Sequence, residues 1–409
     1  MRVCFVSHIW AHGGAQLSLI ELIDALTARG VECRVVVPAG SEAPSALAAR
    51  AIPYLTLEYW PWARATPLPR WERFLKKPFV HLRRAVTLAR LIRPWRCDVI
   101  VTNTITVCEG ALAARLLRVP HVTHAREFGD LDHGLHFEWG PRLSVRVLSM
   151  LSTRVVFNSA ALAAYYGRQV SAERARVIYN AVSIPPAALA QHKPERPLEH
   201  GSAFSCVLVG WLIWGKGHED AIRAIAALVR RGVPVRLKIV GGGGPPTYAQ
   251  SLRELIAALG VAAQVEMVEH TSDPWSFFRE AEVALMCSRM EAFGRVTIEA
   301  MKLGTPVIGA RSGGTPELIR DGFNGFLYTP GDAGELADKI ELLARDPHRT
   351  REMGKHASQF AQDMFTLDRH GREFLDLLEE VIAERSGRSR GIQPGTRDKS
   401  RSSSSRTTR

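Results

Sequence analysis

The residues best suited to chemistry are Glu291 and Glu299, two carboxylates enclosing seven residues that include Phe293, Gly294 and Arg295. An apolar run at 283–287 reads as a strand. Val296, Ile298, Met301 and Leu303 follow at helical spacing, so a helix opens around Phe293. Glu291 then lies in the loop before the helix, and Glu299 about two turns into it. Free amides at the first turn, near Gly294 and Arg295, suit a diphosphate, because they donate hydrogen bonds and the helix dipole favours negative charge. Carboxylates on either side of such an anion accept hydrogen bonds from neutral hydroxyls, the combination a nucleotide sugar offers. The spacing alone fits equally a surface helix with two solvated glutamates.

A second group lies in the loop from Gly210 to Lys216 and Gly217, after the strand-like run 204–209. A lysine there supplies a mobile cation to a diphosphate, while glycines let the backbone come close. Four glycines at 241–244 end the next strand, for steric or functional reasons alike. Gly13 and Gly14 interrupt the opening of the chain. They do not form the dinucleotide fingerprint G-x-G-x-x-G, which argues against a nicotinamide enzyme. His124 closes the run 121–124 and Arg126 and Glu127 follow it, so this segment faces whatever lies beyond that strand's end.

The elements that must position these residues alternate. Strand-like runs at 2–7, 31–37, 52–57, 98–102, 121–124 and 154–157 are separated by helical patterns such as 112–117 and 143–151. Pro185, Pro186, Pro194 and Pro197 mark residues 184–202 as a linker. The alternation restarts with runs at 204–209, 235–240, 264–268, 283–287, 306–309 and 325–328. Such a pattern gives α/β domains with doubly wound parallel sheets. We expect an N-terminal domain over 1–183, a donor-binding domain over 203–365, a helix over 366–385 packing back on the first domain, and a disordered basic tail over 386–409. Two such domains leave a cleft between the carboxyl ends of their sheets.

Taken together, these motifs resemble the retaining GT-B glycosyltransferases of family 4, whose two Rossmann-like domains face each other across a cleft. Glu291 and Glu299, with Phe293, Gly294, Gly304 and Pro306, look like the E-x7-E signature. In that family the first glutamate contacts the donor sugar and the second the ribose. The likeness runs from Gly13 and Gly14, which resemble the loop over the donor phosphates, to Gly313, Gly314, Glu317 and the segment 321–325. Gly210 and Lys216 resemble the phosphate loop, where the family often carries an arginine after the first glycine. This chain has Trp211 there, and Arg295 is the expected compensation. Relatives place a histidine against the donor sugar at the end of the strand 121–124, and here either Arg126 with Glu127 or His124 takes that role. The resemblance implies transfer from a nucleotide-sugar donor with retention, and since neither an Asp-x-Asp pair nor a thiolate set stands at a plausible site, no metal or other cofactor is expected.

Composition sets the surroundings. No apolar run reaches the ~18 residues of a membrane span, and the first residues meet His8 too soon for a signal peptide, so a cytoplasmic location is expected. The six cysteines are scattered, which argues against disulfides and zinc. The net charge of +12 is concentrated in 60–96 and in 386–409. In the first segment ten cations interleave with Trp60, Trp62, Trp71, Phe74, Phe79 and Trp95, a mixture that suits peripheral contact with an anionic membrane and equally a solvated basic face. Nucleic acid is disfavoured, because no binding module is recognisable. The expected acceptor is a glycan or a lipid-linked sugar. Alternatives are a sugar-nucleotide epimerase or phosphorylase, or a non-catalytic basic protein with a degenerate donor site.

Overall fold

The computed structural model describes residues 1–8, 13–59, 61–64, 66, 69, 71–72, 76–190 and 202–390, the last five by backbone alone. The first domain carries a parallel sheet ordered β3-β2-β1-β5-β6-β8-β9. Its strands are β1 (Arg2–Val6), β2 (Glu32–Pro38), β3 (Tyr54–Leu57), β5 (Val99–Thr102), β6 (His121–Ala125), β8 (Arg154–Phe157) and β9 (Ala175–Val177). A separate antiparallel pair joins β4 (Ala63–Arg64) to β7 (His136–Phe137). Helices α1 (Gly14–Thr27), α2 (Ala43–Ala48), α3 (Lys77–Ile92), α4 (Glu109–Leu117), α5 (Asp130–His133), α6 (Pro141–Leu151), α7 (Ala160–Tyr165) and α8 (Pro186–Ala190) fill the connections. The uninterrupted apolar runs follow from cover on both faces. Val3 and Phe5 pack with Leu22 and Ile23 of α1, while Cys4 and Val6 pack with Leu88 and Ala89 of α3.

The second sheet is ordered β12-β11-β10-β13-β14-β15. Its strands are β10 (Phe204–Val209), β11 (Val235–Val240), β12 (Val265–Val268), β13 (Val283–Met286), β14 (Val307–Ala310) and β15 (Gly325–Tyr328). Around it lie α9 (His218–Arg230), α10 (Pro246–Ala258), α11 (Pro274–Glu280), α12 (Arg295–Lys302), α13 (Thr315–Leu318), α14 (Ala333–Arg345) and α15 (Pro347–Met364). Phe204, Cys206 and Leu208 face α9 and α14, whereas Val207 faces α12 and α15.

Two chain crossings join the domains, and they lie side by side, with the Val182 amide donating to the Phe365 carbonyl at 3.2 Å. Lys302, at the end of α12, donates to the carbonyls of Val182 (2.7 Å) and Phe365 (3.0 Å). After the second crossing α16 (Leu367–Arg390) returns to the first domain. There Phe374, Leu377, Leu378 and Val381 join the core formed by Val3, Phe5, Leu22 and Ile23. Arg154 reaches across to the carboxylates of Glu380 and Glu384. Two boundaries differ from the sequence reading: α8 lies inside the expected linker, and α16 runs five residues into the expected tail. Residues 191–201 of that linker and 391–409 of that tail lie outside the described residues.

The basic segment also needs correction. Trp62 is buried, and its indole N–H donates to the Ile105 carbonyl at 2.8 Å, so it is a core residue and not part of an interface. Trp95 is half-buried beneath the Arg34 guanidinium. Trp71 and Phe79 are 62% and 70% exposed, and on α3 Leu82, Arg83 and Arg90 are exposed with Phe79. Trp60 and Phe74 lie outside the described residues.

Candidate active site between the domains

The loop from Ser288 to Gly294 leaves β13 and turns into α12. Gly294 takes a left-handed φ of +93° as the residue before that helix, a conformation that favours glycine, and it supplies no side-chain cap to the first amides of α12. Behind the loop, Gly313 has φ +51°, and a Cβ there would run into the Glu291 carbonyl, which also accepts from the Gly314 amide at 2.7 Å. Glu291 is thus held from its backbone. Its carboxylate accepts from Lys216 Nζ at 2.8 Å and from Ser288 Oγ at 3.0 Å. Burial would raise its pKa, but the Lys216 ammonium and these hydrogen bonds hold it below the ordinary carboxylate value. Lys216 reaches that position from a short turn after Trp214, and the Arg289 amide donates to the Gly215 carbonyl. Trp211 and Trp214 are 50% and 63% exposed on this loop, and Arg289 covers one face of Trp214 at 4.4 Å. The methylenes of Lys216 pass close to Gly210.

Arg295 does not stand free for an anion. Its Nη1 and Nη2 meet Glu21 of α1 at 2.5 and 2.8 Å, and its Nε meets Glu299 at 2.8 Å. Burial opposes the charge of Arg295, but Glu21 and Glu299 more than offset this and raise its pKa. Burial also raises the pKa of Glu299, with Arg295 pulling the other way. The expected compensation for Trp211 is therefore replaced by a carboxylate–guanidinium–carboxylate chain that crosses between the domains. Gly14 lies against this arginine at the start of α1, next to Gly13.

In the first domain, Arg126 follows β6 and is buried. Its Nε donates to Asn103 at 2.6 Å and its Nη1 to Asn180 at 2.8 Å, while its Nη2 has no partner among the described residues. Neighbouring Glu127 accepts from the hydroxyl of Thr104 and from the Ile105 amide. His8 lies among Glu127, His133 and Arg126, and burial chiefly lowers its pKa. His124 is elsewhere. Its ring packs 5.3 Å from Phe374, both its nitrogens lack partners among the described residues, and burial lowers its pKa, so it belongs to the core beneath α16. Phe293 likewise turns its side chain into the core, against Tyr179 and Phe365, leaving its backbone on the loop.

The two carboxyl-end faces meet through these loops. Glu317 accepts from the Ala160 and Ala161 amides at 2.8 and 2.6 Å and from Tyr179 Oη at 2.8 Å, and Gly215 approaches the Asp132 carbonyl. Every one of these contacts joins chain beyond the end of a strand, so Lys216, Glu291, Arg126 and the opening of α12 all lie past the carboxyl ends of the two sheets. Sequence reading missed Glu21, Asn103 and Asn180. The signal for Glu21 was a charge inside the apolar run from Leu19 to Ile23, and the two asparagines each lie just beyond the end of a strand. Among the described residues one group could hold a metal: buried His81, Cys108 and Glu109. Both ring nitrogens of His81 are already engaged, by Glu109 at 2.8 Å and Glu138 at 3.0 Å.

Known proteins share parts of this sequence and its fold. The family model described as "Glycosyltransferase Family 4" matches residues 12–184, and that described as "Glycosyl transferases group 1" matches residues 193–360. N-acetyl-alpha-D-glucosaminyl L-malate synthase of Bacillus anthracis is 29% identical over 166 residues, 41% of this chain and 42% of that protein. A D-inositol 3-phosphate glycosyltransferase of Saccharomonospora viridis is 32% identical over 176 residues, 41% of each. The matched stretch thus spans about two fifths of these curated relatives. Anabaena Alr3699/HepE, crystallised with UDP, superposes with a TM-score of 0.76 at 24% identity, covering 93% of this chain and all of that one.

Proposed function

Because this chain belongs to the GT-B glycosyltransferases of group 1, we propose that it moves a sugar from a nucleoside-diphosphate sugar to a glycan or lipid-linked acceptor, with retention of anomeric configuration. The observation that carries this reading is the Lys216–Glu291 pair beside the first turn of α12. It offers an ammonium to the diphosphate, a carboxylate to sugar hydroxyls and first-turn amides to phosphate oxygens within one loop system. HepE, of the same fold, has been crystallised with UDP-glucose, which supports a nucleotide sugar as donor.

In this reading the bond from C1 to the diphosphate oxygen breaks while the acceptor oxygen bonds to C1 on the same face. The acceptor proton passes to the departing phosphate, and no side chain is covalently attached. Negative charge grows on the diphosphate, where Lys216 and the α12 amides stabilise it. Glu299 accepts from the ribose, and the open Nη2 of Arg126 donates to the sugar. A thermal-shift screen over UDP-, GDP-, ADP- and TDP-sugars tests the assignment. One base series is expected to raise the melting temperature, because ligand at about 100 Kd adds about 2.7 kcal/mol. Indifference to all of them would overturn it. With Lys216 and amides serving the diphosphate, turnover is expected to persist in EDTA, and a loss that magnesium restores would contradict this mechanism.

The acceptor reading draws on α3. Exposed Phe79 and Leu82 beside Arg83 and Arg90 form an apolar and basic face suited to anionic headgroups. No helix among the described residues is long and apolar enough to cross a membrane, so such contact would be peripheral. The protein is expected to co-sediment with phosphatidylserine-containing vesicles at low salt. Reversing Arg83, Arg84 and Arg90 to glutamate should release most of it, since each cation near such a surface contributes about 1 kcal/mol. Binding that ignores the reversals would leave the helix a solvated face and point to a soluble acceptor.

A further inference from the structure

The Glu21–Arg295–Glu299 chain has a role that phosphate binding does not explain. Glu21 belongs to α1 of the first domain, and its Oε1 also accepts from the Ser183 amide at 2.7 Å, in the first crossing. The side chains of Arg295, Glu21 and Glu299 are 12%, 10% and 8% exposed. Drawing Arg295 off to a ligand would leave two buried carboxylates facing each other unpaired, which costs several kcal/mol. Arg295 is therefore better placed to hold than to bind. The same helix is fastened at its far end, where Lys302 donates to both crossings. α12 is thus tied to the first domain at its opening and to the crossings at its close, with Glu299 between.

We infer that Glu21 is a positioning residue for the donor site of the opposite domain: through Arg295 it orients Glu299, and because the pair spans the two domains it also holds them in this arrangement. This rests on the donor site proposed above. It differs from a plain structural contact in its consequences. Without Glu21, Arg295 loses the two contacts that anchor its guanidinium to the first domain, and Glu299 is left paired to a cation that is no longer fixed. Donor binding must then supply the ordering that the pair supplied in advance.

The experiment compares wild type, Glu21→Gln, Arg295→Met and the double variant, each checked for folding by circular dichroism. Small-angle scattering of the unliganded proteins reads the domain arrangement directly, without reference to any substrate. Glu21→Gln is expected to raise the radius of gyration and to raise donor KM at least tenfold, with kcat changed less than threefold. In the Arg295→Met background, Glu21→Gln should bring no further rise in radius of gyration or donor KM, because its loss of function runs through Arg295. A fall in melting temperature with scattering and KM unchanged would mean a structural contact alone and would overturn the inference, as would additive effects in the double variant. A wild type that accepts no nucleotide sugar would sink the donor assignment instead, while the scattering still decides whether Glu21 holds the domains in this arrangement.

Discussion

Lys216→Met is expected to lower kcat/KM by roughly two to three orders of magnitude, the scale for removing one well-placed partner of a developing oxyanion. Arg295 is occupied by Glu21 and Glu299, so in the proposed reaction the electrostatic work falls to Lys216 beside Glu291. The substitution also acts on Glu291. With its ammonium gone, the burial that already favours the protonated form prevails, and the Glu291 pKa rises. If the carboxylate form is the active one, the acid limb of the pH–rate profile therefore moves to higher pH, while the wild-type limb lies lower. Steady-state kinetics across pH would check both parts. An unchanged rate would show Lys216 to be merely solvated, and a lower rate with an unshifted limb would separate it from Glu291.

The second large effect concerns stability. Phe374→Ala should destabilise the first domain by about 3–5 kcal/mol, since a fully buried aromatic ring leaves a cavity that the sheet and α1 cannot collapse to fill. Ending the chain at residue 365 should do more. It strips Phe374, Leu377, Leu378 and Val381 from the core and leaves Arg154 without Glu380 and Glu384. We expect the truncated chain to aggregate or to melt its first domain well below wild type by calorimetry. Coincident melting curves would show that α16 merely leans on the surface.

The architecture was legible because parallel strands covered on both faces must be written as unbroken apolar runs. β8, β10, β11 and β15 were bounded correctly from such runs. The edge strand β9 and the β4–β7 pair were not, since three or two half-exposed residues carry no period. Glu291, Glu299 and Lys216 were legible because glycines and spacing frame them. Arg295 was legible as a cation but not as a committed one, because its partner lies 274 residues earlier in the chain. His124 and Arg126 differ in the same way. They are two residues apart, yet one faces α16 and the other follows the strand's end, and the sequence does not announce that a helix from the far end of the chain covers the first.

The side-by-side crossings make the second domain a topological insertion, with both its ends at one point of the first. During synthesis the inserted domain has all of its strands and helices as soon as residue 365 has emerged. The first domain, although begun at the first residue, still lacks the residues of α16 that seal its core. The usual order of vectorial folding, amino-terminal domain first, is thereby inverted, and the half made later can finish earlier. Until Val381 is released, the apolar surface beside α1 that α16 will cover remains exposed, which makes the nascent chain a natural client for a chaperone that binds exposed hydrophobic surface.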